Sequence, residues 1–162
     1  MIDEVDRIVR SWQEERPELD VRPLEVLSRV SRLARHLDLA RRTAFARHEL
    51  DVWEFDVLAE LRRSGEPYQL SPGALVARTL VTRGTMTNRI DRLAARGLVE
   101  RLPAPADRRG VLVRLTPEGR AKVDGAVADL LEVERRLLAG LPEADQDRLA
   151  ALLREVVAPL DA

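Results

Sequence analysis

Arginine carries most of the chemistry this sequence offers. Between Ser71 and Thr116 lie Arg78, Arg83, Arg89, Arg92, Arg96, Arg101, Arg108, Arg109 and Arg114, against only Asp91, Glu100 and Asp107. The segment thus carries a formal +6 on a chain whose net charge is −1, which leaves −7 elsewhere. Guanidinium groups at this density suit a phosphate backbone, although by charge alone they suit a solvated surface equally well. The neighbouring residues separate the two readings. Met86, Ile90 and Leu93 recur at helical spacing and claim the inward face, so Thr85, Thr87, Asn88, Arg89 and Arg92 include its outward positions. Threonine and asparagine match base edges or phosphates near a helix start, and arginine matches guanine or phosphate. Thr82 and Arg83 open the same helix and join the candidate DNA contacts. Further on, Asp107-Arg108-Arg109-Gly110 puts two guanidinium groups beside a glycine-containing hairpin tip, a form suited to a narrow minor groove. Asp107 braces an arginine there, because phosphate repels a carboxylate.

Other chemistries lack their residues. The absence of cysteine excludes disulfides, thiolate zinc sites and thiol nucleophiles together. The two histidines, His36 and His48, lie on one predicted helix but are separated by about 3.3 turns at ~3.6 residues per turn, so they share no face. No HExxH motif, glycine-rich phosphate loop or serine-histidine-acid set is present. We therefore expect no enzymatic activity, no metal and no cofactor. Trp12, Phe45, Trp53, Phe55 and Tyr68 are the only aromatics, and none lies in the basic segment. That argues against a module that stacks single-stranded bases.

The elements that must position these arginines are mostly helices. Val5, Ile8, Val9 and Trp12 trace a first helix ended by Pro17; after Pro23, Leu24, Leu27, Val30, Ala34, Leu37, Ala44 and Phe45 trace a long one to about His48. Asp51 reads as the N-cap of a helix bearing Val52, Phe55, Leu58 and Leu61, closed by Ser64-Gly65-Glu66-Pro67. Ser71-Pro72 starts a short helix, and Gly97 sits where a left-handed C-cap belongs to the next, a helix-turn-helix. Leu98–Leu102 and Val111–Leu115 read as strands joined by a loop from Pro103 to Gly110, a β-hairpin wing. Thr116-Pro117 opens a long helix running to Gly140, and Pro142 opens the last, with Leu149, Leu152, Leu153, Val156 and Val157 on one stripe.

The predicted fold is mainly α with a small β-hairpin wing, a winged helix-turn-helix core flanked by N- and C-terminal dimerisation helices. A chain of 162 residues makes a single domain, 1–162, within which 1–48 and 119–162 are dimerisation helices and 51–116 is the DNA-binding lobe. Amphipathic helices outside the winged core must bury their apolar faces, and a two-fold dimer would let two recognition helices read a pseudo-palindrome. The longest uncharged stretch, Pro67–Ala77, is too short to span a membrane, and no basic-then-apolar segment opens the chain. The expected location is the cytoplasm.

Four stretches carry a resemblance: Thr85 to Leu93 (TMTNRIDRL), Gly97 to Arg101 (GLVER), Asp107 to Gly110 (DRRG) and Leu115 to Gly119 (LTPEG). Together they resemble the winged-helix signature of MarR-family transcriptional regulators, and the order of elements is similar along essentially the whole chain. The resemblance implies a homodimer that binds a pseudo-palindromic operator in double-stranded DNA, usually represses nearby genes, and is released by a small ligand. An extra N-terminal helix containing Trp12, the Phe-Asp-Val-Leu segment around Asp56 and the Thr87–Leu93 segment look like the urate-responsive branch of that family. That likeness implies ligand contacts from Trp12, Asp56, Arg89 and Arg101. Two arginines can hold an organic anion in bidentate fashion, an indole can cover its flat face, and Asp56 would neutralise the arginines when the ligand is absent. The branch answers to purines such as urate in some members and to polycarboxylates in others, so either kind of anion fits. Plainer uses compete at each position: Trp12 in a dimer interface, Asp56 in a surface ion pair, Arg89 on phosphate and Arg101 as a brace for the wing. A DNA-binding regulator with no effector, or with an unrelated one, is the alternative reading.

Overall fold

The computed structural model describes residues 2–104 and 107–160; the side chains of Asp107, Arg108 and Arg109 lie outside the described residues. The chain falls into two compact units, 1–43 and 44–162.

The first unit holds helix α1 (Glu4–Glu15) and most of α2 (Arg22–Ala46). Asp3 starts α1 through a reciprocal capping box, its carboxylate accepting the Asp6 N–H at 3.0 Å while Asp6 accepts the Asp3 N–H at 2.8 Å. Arg29 of α2 reaches both carboxylates, at 2.8 and 2.6 Å, and its hydrogen bond holds the Asp3 carboxyl below its ordinary pKa. Val5, Val9 and Val21 are buried beneath this pairing, with Leu24 against them.

The second unit begins with the last turn of α2, where Ala44 and Phe45 are buried and Phe45 stacks on Phe55 at 3.9 Å between ring centroids. It continues through α3 (Val52–Arg63), β1 (Gln69–Leu70), α4 (Pro72–Thr79), α5 (Arg83–Ala95), β2 (Val99–Ala104), β3 (Asp107–Leu115), α6 (Pro117–Leu138) and α7 (Glu143–Val157), then a 3-10 turn at Ala158–Leu160. The helix starts follow the side chains expected to cap them. Ser71 accepts the Ala74 N–H, Thr82 the Thr85 N–H and Thr116 the Gly119 N–H. Pro142 differs from expectation: it is the N-cap of α7, in extended backbone, and Glu143 is the first helical residue. Leu58, Leu61, Leu75, Met86, Ile90, Leu93, Leu98, Val113 and Val123 pack into one core that ties α3, α4, α5, the sheet and α6 together.

The three strands are antiparallel in the order β1-β3-β2. Two features depart from the sequence reading. Gln69 and Leu70 pair with Arg114 and Val113 as a third strand, too short to show alternation. The wing is also longer than expected, because β2 runs to Ala104 and β3 starts at Asp107, inside the stretch read as loop. Pro103 stays in the ladder, opposite Val111, because β2 is an edge strand and one of its sides needs no N–H donor. A register shift follows at once, between Pro103 and Ala104.

Gly97 ends α5 with φ +69°, as its position predicted. Gly119 is needed for space instead, since a β-carbon there would stand 2.1 Å from the Leu98 carbonyl oxygen. The first turn of α6 therefore lies directly on the backbone entering the wing. Gly119→Ala should destabilise the protein by at least about 2 kcal/mol, since over-packing against backbone cannot relax by a rotamer change. The check is a lowered urea midpoint at unchanged slope.

Candidate nucleic-acid interface

Met86, Ile90 and Leu93 are almost wholly buried, which fixes the rotation of α5 about its axis. Thr82, Arg83, Thr85, Thr87, Asn88 and Arg92 are consequently exposed, and Arg89 is half-buried. The threonine hydroxyls already serve the helix: Thr82 and Thr85 hydroxyls bond each other at 2.8 Å, and Thr87 donates to the Arg83 carbonyl at 3.0 Å. Their spare lone pairs leave them as acceptors first, while Asn88 and the arginines supply most donors on this face. The connection from α4 turns at Leu80, which has left-handed backbone at φ 53° and is 92% exposed.

The structure divides the arginines of the basic segment. Arg78 lies 3.7 Å from Glu60, Arg101 is paired with Asp91 at 2.7 Å, and Arg114 with its cross-strand neighbour Glu100 at 2.9 Å. Arg96 is paired with Glu54 at 2.6 Å. Among the described residues, Arg83, Arg89 and Arg92 have no carboxylate partner. All three belong to α5, so the uncompensated positive charge of this segment collects on one helix. The candidate contacts Arg108 and Arg109 lie on the β3 backbone, with side chains outside the described residues.

Arg89 and Arg92 instead face an aromatic ring. Their guanidinium carbons stand 5.5 and 4.7 Å from the Trp53 ring centroid, within cation–π range. Trp53, Thr85, Asn88, Arg89 and Arg92 line an open cleft of about 430 Å³. In the sequence Trp53 stands out only as one of five aromatics. The signal for Trp53 is its place one step off the Val52, Phe55, Leu58 stripe, which leaves the indole half-buried at the margin of the core.

The four candidate ligand residues lie on four different elements. Trp12 lies on α1 in the first unit and is 48% exposed. Asp56 is half-buried on α3, Arg89 faces Trp53, and Arg101 is held by Asp91. The two arginines expected to share an anion thus have different partners here.

One buried contact anchors the whole arrangement. Glu54, 2% exposed, accepts the Asp51 N–H at 2.9 Å in the capping box of α3 and the Arg96 guanidinium at 2.6 Å. Arg96, at the end of α5, also donates to the Glu49 carbonyl at 2.7 Å. Lys122 of α6 bonds the Glu49 carboxylate at 2.6 Å and holds that carboxyl below its ordinary pKa. Among the described residues no group of three or more His, Cys, Asp or Glu side chains can hold a metal ion, and no helix is long and apolar enough to cross a membrane.

Arg96→Ala should cost about 1–3 kcal/mol, less than the ~3–5 kcal/mol of a fully buried pair because Arg96 is partly solvated. Arg101→Ala, at an exposed pair, should cost under about 1 kcal/mol. Urea unfolding of the two variants tests the order, which equal losses would contradict.

Comparison with known proteins agrees with this geometry. A family model described as MarR family matches residues 48–110. The HTH-type transcriptional regulator PecS of Dickeya dadantii is 40% identical over 153 residues, covering 94% of this chain and 92% of that protein. The HTH-type transcriptional repressor NicR of Pseudomonas putida is 29% identical over 143 residues, covering 86% and 89% respectively. Among solved structures, a mutant MarR from E. coli in complex with operator DNA matches with a TM-score of 0.68 at 27% identity, over 90% of this chain and 97% of that one.

Proposed function

Because the chain belongs to the MarR family of transcriptional regulators, we propose that it is a homodimeric repressor that grips a pseudo-palindromic operator and lets go when a small organic anion binds. The observation that carries the DNA-binding part is the trio Arg83, Arg89 and Arg92, without acidic partners among the described residues, on the outward face of α5. In this reading α5 enters the major groove, where Asn88 and the arginines meet base edges or phosphates and Thr82, Thr85 and Thr87 seat the helix start. Arg108 and Arg109 of the wing reach the neighbouring minor groove.

Exposed apolar side chains support a second copy as partner. Val26, Leu27, Val30 and Leu33 are exposed on α2, as are Leu131, Leu137 and Leu138 on α6 and Leu149, Leu152, Val156 and Val157 on α7, a helix with no buried residue. Helical stripes of this kind need covering. Residues 1–48 and 119–162 then form the dimer, and 51–116 the lobe that each copy presents to DNA. Two-fold symmetry places the lobes in successive major grooves of cytoplasmic DNA.

Trp12, Asp56, Arg89 and Arg101 are the proposed effector contacts, for a urate-like or polycarboxylate anion. The ligand would draw Arg89 from the DNA face and Arg101 from Asp91, and so act through its differential affinity for two shapes of the lobe. A coupling of about 1–3 kcal/mol changes operator affinity by ~5–150-fold. The existing Arg89–Trp53 and Arg101–Asp91 contacts favour a second reading, a regulator without such an effector.

Footprinting on the DNA adjoining its own gene, with and without urate, xanthine, salicylate and citrate, tests both. A symmetric footprint with half-sites one helical turn apart is expected, erased by at least one of the anions. No footprint at low salt would remove the regulator reading, and a footprint that ignores all four would favour the second reading. The double variant Arg108→Ala/Arg109→Ala should flatten the plot of log affinity against log salt by about 0.9 for each phosphate no longer neutralised. An unchanged slope takes the wing off the backbone. Asp56→Asn should change release by the anion more than operator affinity, and equal losses would indicate a structural role.

A further inference from the structure

Two of the three arginines on α5 are not free-swinging, and what restrains them lies outside the helix-turn-helix. Trp53 projects from the first turn of α3, and its indole N–H donates to Asp51 Oδ2 at 3.3 Å, which ties the ring to the N-cap of its own helix. Arg89 and Arg92, one helical turn apart, both come to this ring, at 5.5 and 4.7 Å. The Arg96–Glu54 bond closes the same α3–α5 interface one turn further along α5. We propose that Trp53 is a positioning residue for operator binding: its ring holds Arg89 and Arg92 in one orientation before DNA arrives, with Thr85 and Asn88 beside them in the cleft.

The physical basis is the entropy of long side chains. A free arginine loses much of its rotamer freedom when it is fixed on a phosphate or base. A ring that already confines it lowers that loss at the moment of binding. No carboxylate could do this job as well, since an ion pair would cancel the charge that phosphate needs. An aromatic face restrains the guanidinium while leaving it positive, with its N–H edge open to solvent. This inference rests on the DNA-binding reading, and its own test is separable from that reading's.

The test compares Trp53→Phe with Trp53→Leu in the full-length protein, on the duplex that the wild type footprints most strongly. Both replacements keep an apolar side chain on α3, but only phenylalanine keeps a π face. Phenylalanine should bind within about 2-fold of wild type, and leucine about 5- to 10-fold more weakly, the size expected of two partly exposed cation–π contacts. The salt slope should stay unchanged in both, because the arginines still reach the phosphates. Placed on Arg92→Ala, the leucine change should lose at least half of its effect. Separately from DNA, Trp53 fluorescence in a Trp12→Phe background should shift when Arg92 becomes alanine. Phenylalanine and leucine binding alike would overturn the proposal. So would a leucine effect that is undiminished on Arg92→Ala, which would place the indole on DNA itself. If the wild type binds no duplex, the DNA-binding reading fails, and the fluorescence shift still decides whether the clamp exists.

Discussion

A carboxylate taken out of water must meet a cation, and at Glu54 that requirement sets how α5 sits against α3. The side chain closes the first turn of α3 through the Asp51 N–H, and its other partner is Arg96 at the end of α5. Arg96 in turn caps the Glu49 carbonyl in the corner between α2 and α3. One buried acid therefore joins the start of α3, the corner before it and the end of α5. Apolar packing of Met86, Ile90 and Leu93 would allow α5 to slide and roll by small amounts, because it is non-directional. The Glu54–Arg96 bond is directional, and it selects one setting among them.

Ion pairing also sorts the arginines by role. Those that meet Glu54, Asp91 and Glu100 brace the lobe and the wing, and contribute little field at the surface. Within the basic segment, those left without an acidic partner among the described residues, Arg83, Arg89 and Arg92, lie together on α5. Formal charge along a sequence overstates the potential a protein presents to its partner; the potential depends on which charges the fold has already matched. Here the matching removes charge beside α5 and leaves it on α5 itself, which concentrates the attraction for an anionic partner on that helix.

Much of this was legible before the structure. Local signals survived well: Ser71-Pro72, Thr82 and Thr116-Pro117 cap the helices they were expected to cap, and Gly97 has the left-handed backbone its position required. Gln69 and Leu70 were not legible as a strand, because two residues cannot show alternation and their pairing with β3 is a tertiary event. Pro103 misdirected the wing for a similar reason, since nothing local announces that β2 is an edge. At the interface, the outward residues of α5 followed from periodicity alone. Glu54 and Trp53 did not. Each owes its role to a partner some forty residues away in sequence, and the Asp51-x-x-Glu54 box hinted only at the local half of what Glu54 does.

Helix α7 is 15 residues long and contains no buried side chain. A segment of that length standing alone in water is at the margin of helix stability, because the cost of nucleation is spread over too few residues. Its order must then be borrowed from whatever covers it, and borrowed order follows mass action. If a second copy is the cover, as proposed above, α7 frays on dilution and orders as concentration rises, so abundance sets shape as well as occupancy.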